Sequence, residues 1–145
     1  MKHKISSEID IQAPVEVVWN ILMQIDKYKS WNPFIISSKG IPKIGEKLKN
    51  RIQPPGGKAM TFKPVVTKLN KNQVFEWKGE LLVPGVFTGY HRFELSQQGN
   101  VTHLVHSESF SGLLVRFMKK SLDNGTADGF KAMNEALKVR AEAKN

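Results

Sequence analysis

Residues 86–112 read VFTGYHRFELSQQGNVTHLVHSESFSG. On both sides of Gly99-Asn100 apolar and aromatic residues alternate with polar ones, the period of a half-buried strand. Gly-Asn also suits the two-residue loop of a hairpin. That loop pairs Gln98 with Val101 and fixes every pair beyond it, so that His91 faces Glu108, Phe93 faces His106 and Gly89 faces Phe110. At the preceding turn a three-residue loop, Val83-Pro84-Gly85, pairs Leu82 with Val86. It sets Trp77 against His91, Phe75 against Phe93 and Gly79 against Gly89.

Successive side chains of a strand point to opposite faces. Phe75, Trp77, Leu81, Phe87, His91, Phe93, Leu95, His106, Glu108 and Phe110 therefore share one face. Glu76, Lys78, Glu80, Tyr90, Arg92, Glu94, His103, Ser107 and Ser109 share the other. The aromatic face is expected to be concave and covered, and the charged face to lie outside. A histidine opposite a glutamate on an apolar face needs an explanation, because a buried charge is costly unless paired or hydrogen-bonded. Three readings are open: a satisfied core pair, a cavity lining that orients a ligand's polar group, or general acid/base catalysis, with Glu108 holding the tautomer of His91.

Outward from this hairpin, turn signals recur at Gly40, Pro42, Gly45, Pro54-Pro55-Gly56-Gly57 and Asn70–Asn72. They separate short apolar stretches at Phe34 to Ser38 and about 46–53, 58–69, 73–82, 86–97 and 101–111, an antiparallel meander. Before the meander, Ile5, Ser7, Ile9 and Ile11 alternate as a strand. Ala13-Pro14 then opens a helix with Glu16 in its first turn and a stripe of Val15, Val18, Ile21, Leu22 and Ile25. Residues 28–33 read as a second short helix or turn closed by Pro33. The tail from Leu113 to Lys144 is helical in composition, and Gly125 and Gly129 mark a break or a close approach. A strand, two short helices, about six strands and one long helix make an α+β domain, helices on one face of a curved antiparallel sheet, over residues 1–145.

The 145 residues are one domain's length and can bury roughly 68–70% of their unfolded surface. Absence of Cys excludes disulfide scaffolds, thiolate-bound zinc, iron–sulfur clusters and thiol catalysis. MKHKISSEIDI holds no signal-peptide apolar run, and nothing approaches the length of a membrane-spanning helix, so a cytoplasmic protein is expected. The net charge of +9 raises nucleic acid or anionic membrane as partners. The basic residues are nonetheless spread from Lys2 to Lys144, with no aromatic interleaving at base-stacking spacing, so no specific nucleic-acid partner is expected. No phosphate-binding glycine loop and no Gly-x-Ser-x-Gly elbow occurs. His91, His106 and Glu108 lack a recognised ligand spacing, so neither a metal nor another cofactor is expected.

The segments IDIQAPVEVVWNIL, YKSWNPFI, PPGGKAMTF, VPGVFTGYHRFEL, HSESFSGLL and GFKAMNEALKVRAE together resemble the START-like superfamily known as SRPBCC, nearest its bacterial polyketide cyclase/dehydrase-like proteins. The resemblance runs from about residue 5 to 142. It implies a helix-grip fold, in which a seven-stranded sheet wraps the last helix around a deep apolar cavity, with activities from ligand binding and lipid transfer to ring cyclisation. On this basis the chain is expected to bind an apolar small molecule, lipid-like, polyketide-like or aromatic, with His91 and Glu108 orienting its polar group. The alternative is a cyclase/dehydrase-like enzyme with His91 as acid/base and Glu108 as its partner; a polyanion- or membrane-associated module is the third reading. Trp77, Phe75, Phe87, Phe93, Phe110 and His106 are the expected sheet lining, with room left by Gly79 and Gly89. Phe117 and Met133 are expected from the long helix, beside Met118 and Leu122, and Trp31 at the cavity mouth. A charged outer sheet face favours a monomer.

Overall fold

The computed structural model describes residues 2–81 and 83–143. β1 (Lys2–Ile11) leads to α1 (Val15–Met23) and a 3₁₀ segment (Ile25–Ser30). Then come β2 (Ile35–Lys39), β3 (Lys49–Ile52), β4 (Met60–Phe62), β5 (Val65–Asn70), β6 (Val74–Leu81), β7 (Phe87–Gln98) and β8 (Val101–Ser111). The chain ends in α2 (Val115–Ser121), a π-helical turn (Leu122–Thr126) and α3 (Ala127–Glu142), one continuous helical path. The strands form a five-stranded antiparallel sheet, β1-β8-β7-β6-β5, and a three-stranded one, β2-β3-β4. This is the helix-grip α+β architecture.

The hairpin registers are those the turns dictate. Gly99 takes φ 61°, Gln98 pairs with Val101, and His91 faces Glu108. Across the next hairpin Trp77 faces His91 and Gly79 faces Gly89. Leu82, expected opposite Val86, lies outside the described residues. The stretch expected as one strand over 58–69 is two, because Pro64 lacks the N–H a ladder needs. At that bend the backbone of residues 45–48 takes over: Leu48 N–H donates to Pro64 C=O, and Val66 N–H to Glu46 C=O. The two sheets are thereby joined edge to edge at a corner, and seven strands rather than six follow the first helices.

α1 begins at Pro14 without a side-chain cap of its own. The free N–H of Val15 instead donates to Gln97 Oε1 on β7 at 2.7 Å, which ties the helix to the sheet. Its other end is held by the fully buried Tyr28, whose hydroxyl donates to Leu22 C=O at 2.6 Å. Burial pushes that hydroxyl's pKa well above the usual tyrosine value. The Trp31-Asn32-Pro33 turn is closed by Asn32, whose Oδ1 accepts the N–H groups of Phe34 and Ile35. α3 lies against this corner at Gly129, where a Cβ would collide with the Phe34 ring, and Phe34 packs edge-on to Phe130. Ile11, Val18, Leu22, Leu104, Leu137 and Ala141 fill the core between α1, α3 and the sheet.

The outer sheet face is charged, as expected, but not wholly solvated. Glu76 is only 3% exposed there. Its carboxylate accepts from Arg92 Nη2 at 2.6 Å and Nε at 2.7 Å, and from the Thr67 hydroxyl.

Candidate functional site: a cavity at the junction of the sheets

A cavity of about 330 Å³ opens where the two sheets meet under α2 and the π turn. Trp77, Gly79 and Leu81 of β6, Phe87, Gly89 and His91 of β7, and Glu108 and Phe110 of β8 form one wall. The three-stranded sheet forms the opposite wall with Asn50, Ile52, Met60 and Phe62, and Phe34 joins it. Met118, Leu122 and Thr126 close it from the helix, with the π turn placing two of these side chains on the inner side.

The wall carries a chain of polar side chains that runs away from the cavity into the core. Glu108 keeps 19% of its side chain exposed, and its Oε1 lies 3.4 Å from Nδ1 of His91, in ion-pair range but longer than a good hydrogen bond. The His91 side chain is 1% exposed and stacks on Trp77, ring centroids 4.7 Å apart. Its Nε2 meets Nε2 of His106 at 2.7 Å, and Nδ1 of His106 meets Oδ1 of Asn134 on α3 at 2.9 Å. His106 is fully buried against the Phe130 ring, centroids 4.0 Å apart. Burial above all, and then the neighbouring His91, lowers the His106 pKa well below the usual histidine value, against the pull of Asn134. His106 is therefore neutral. With Asn134 Oδ1 accepting, His106 carries its proton on Nδ1 and accepts at Nε2 from His91. His91 Nδ1 is then the ring nitrogen left facing the Glu108 carboxyl group. Turning the Asn134 amide reverses the chain and gives Nδ2, buried without a partner, an acceptor in His106.

The two glycines of the facing pair differ. A Cβ on Gly89 would collide with Glu108 Oε2, so the carboxylate occupies the place of a side chain there. A Cβ on Gly79 would meet only Pro64, at 4.0 Å, so this glycine leaves open space.

Of the residues singled out from the sequence, Trp77, Gly79, Phe87, Gly89, His91, Glu108 and Phe110 lie on the cavity wall. Phe75, Phe93, His106 and Met133 do not; all are fully buried behind it. Trp31 is not at the mouth, since the 3₁₀ segment turns it to a shallow depression on the outer side of α3, beside Glu135 and Val139. Phe117 is 76% exposed, because Val115, Met118 and Leu122 take the inner face of the helix and residue 117 falls off that stripe. The sequence reading passed over Asn50 and Asn134. Asn50 alternates with Leu48, just before β3, and with Ile52 on it, and Asn134 stands four residues after Phe130 on α3, so both occupy inward positions that a polar residue rarely takes. Among the described residues no cluster of His, Asp and Glu is arranged to hold a metal ion.

Residues 2–142 match the family described as polyketide cyclase / dehydrase and lipid transport. The chain belongs to this family. Solved structures of the same fold include a START superfamily protein from Mycobacterium smegmatis, 19% identical over 99% of each chain with a TM-score of 0.77. An aromatase/cyclase from a Streptomyces species is 15% identical, covering 99% of this chain and 96% of the other, with a TM-score of 0.79. A major latex-like protein from Panax ginseng is 14% identical over 97% of each chain, with a TM-score of 0.76. No curated protein matches in sequence. The family points to an apolar small molecule as partner, and among the described residues no helix is long and apolar enough to cross a membrane.

Proposed function

We propose that this chain binds one apolar small molecule in the cavity, with Glu108, backed by His91, orienting the ligand's polar group. The observation that carries the reading is a mostly apolar cavity of about 330 Å³ with a part-exposed carboxylate in its wall, the composition of a small-molecule site. Apolar burial supplies the affinity, at roughly 25 cal/mol per Å², and Glu108 supplies direction. His91 acts through Glu108, since one of its ring nitrogens is engaged with His106 and the other faces the carboxylate. The reading takes the working form to be a cytoplasmic monomer, with the charged outer sheet face as support for the monomer.

The test is a titration with Nile red. Wild type binds the dye in a one-to-one complex, and Gly79→Leu, whose side chain grows into the open space at Gly79, loses it without losing its thermal transition. Equal binding by both proteins would place the dye elsewhere and remove the support.

A second reading is favoured by the imidazole of His91 standing beside the carboxyl group of Glu108 in the cavity wall. A carboxyl group backed by an imidazole is the kind of pair that passes a proton to a ligand's carbonyl oxygen or takes one from an acidic carbon, as a cyclase/dehydrase-type enzyme requires. In it Glu108, not His91, touches the substrate. A poly-β-ketone thioester cyclised by wild type and left unchanged by Glu108→Gln, with Nile red binding kept, would establish catalysis. No product from wild type leaves the binding reading alone.

A further inference from the structure

Asn50 is fully buried, and it is one of the residues lining the cavity on the sheet opposite the one that carries Glu108. Its Oδ1 accepts the hydroxyl of Ser38, its cross-strand partner on β2, at 2.5 Å. Its Nδ2 is buried with no partner. Turning the amide moves the deficit instead of ending it: Nδ2 would then donate to Ser38 Oγ, and the Ser38 hydroxyl would lose its own acceptor. A buried donor left without an acceptor weakens an equilibrium by roughly tenfold or more, and native structures seldom keep one without a use for it. Glu108, on the facing wall, has the opposite character, a carboxyl group with oxygen lone pairs turned to the same space.

We infer that the ligand of this cavity is an apolar hydroxy- or amino-carbonyl compound, its carbonyl oxygen accepting from Asn50 and its hydroxyl or amine donating to Glu108. The inference rests on the binding reading above and adds to it the ligand's polarity and the residue that reads the carbonyl. Because Asn50 and Glu108 stand on different sheets, the two groups must sit at separate places on the ligand's frame. A carboxylate-terminated chain fits poorly, since its charge would meet Glu108.

Four probes decide it, with affinities read by tryptophan quenching, Trp77 being in the wall. They are an acetylnaphthol, an ethylnaphthol of nearly the same bulk without the carbonyl, an acetylnaphthalene without the hydroxyl, and naphthalene itself. Wild type is expected to bind the acetylnaphthol about tenfold more tightly than the ethylnaphthol. In Asn50→Leu that gain disappears while the gain from the hydroxyl stays, and in Asn50→Asp the carbonyl becomes a penalty. A carbonyl gain absent from wild type, or kept in Asn50→Leu, overturns the inference. The wild-type comparison holds even if a variant folds poorly. Naphthalene bound with no carbonyl gain sinks the inference and leaves the binding reading standing; no probe bound sinks both.

Discussion

Glu108 can face an apolar cavity because two neighbours make room and give support. Gly89 lacks the side chain that would collide with its carboxylate, and His91 stands behind it at 3.4 Å, itself held by His106 and Asn134. The facing glycine, Gly79, has no such neighbour. Substituting each by alanine should therefore separate them. Gly89→Ala pushes the end of the Glu108 side chain away from His91 and is expected to lower stability by about 1 kcal/mol, the worth of a displaced polar contact. Gly79→Ala is expected to lie within about 0.5 kcal/mol of wild type, because its Cβ meets only ordinary contact. Urea unfolding of the two variants checks the pair, and equal losses would mean that the Glu108 carboxylate is not where this account puts it.

At the scale of elements, the central hairpins were legible because their turns are short and chemically explicit. Gly99-Asn100 and Val83-Pro84-Gly85 fix the registers, and a two-residue side-chain period then assigns Trp77, His91 and Glu108 to one face. What lies across from that face was not legible. Pro64 splits an expected strand, and the corner it makes folds a three-stranded sheet over as the second wall, so Asn50 comes to face the cavity through contacts far apart in sequence. The long helix was legible as an element but not in its phase. Its inner stripe runs through Val115, Met118 and Leu122, which leaves Phe117 outside, and the π turn at Leu122–Thr126 then brings Thr126 to the cavity. Gly129 was legible as a point of close approach, though not what approaches: the ring of Phe34. Gly129→Ala is expected to cost about 1–3 kcal/mol by overpacking, despite alanine's better helix propensity. Adding Phe34→Leu should recover part of that loss, and thermal unfolding of the double variant measures the coupling.

For the whole molecule, the polar chain from Glu108 to Asn134 links cavity wall, sheet and last helix, and makes stability depend on pH. His106 faces His91 from β7 and Asn134 and Phe130 from α3, and it is held neutral by burial. Its folded pKa is lowered, so below the unfolded value of about 6.5 the unfolded chain takes up a proton that the folded one refuses. Stability should fall as pH drops below that point, by up to about 1.4 kcal/mol per pH unit from this group. His103 works in the other direction. Asp10 first, then Glu8, raises its pKa, so its contribution is full below the usual value and is lost as pH rises through the folded one. It is exposed and its effect is small. Chemical unfolding at several pH values shows which prevails, and the acid slope is expected to shrink in His106→Leu.

The central claim is that the cavity holds an apolar ligand, and native mass spectrometry of the protein purified from its own host tests it most directly. The expected result is a one-to-one organic adduct that denaturation releases and that Gly79→Leu lacks. Wild type found at its bare mass, and unable to take up Nile red, would contradict it. The Glu108 to Asn134 chain would then be a satisfied polar seam in a closed core.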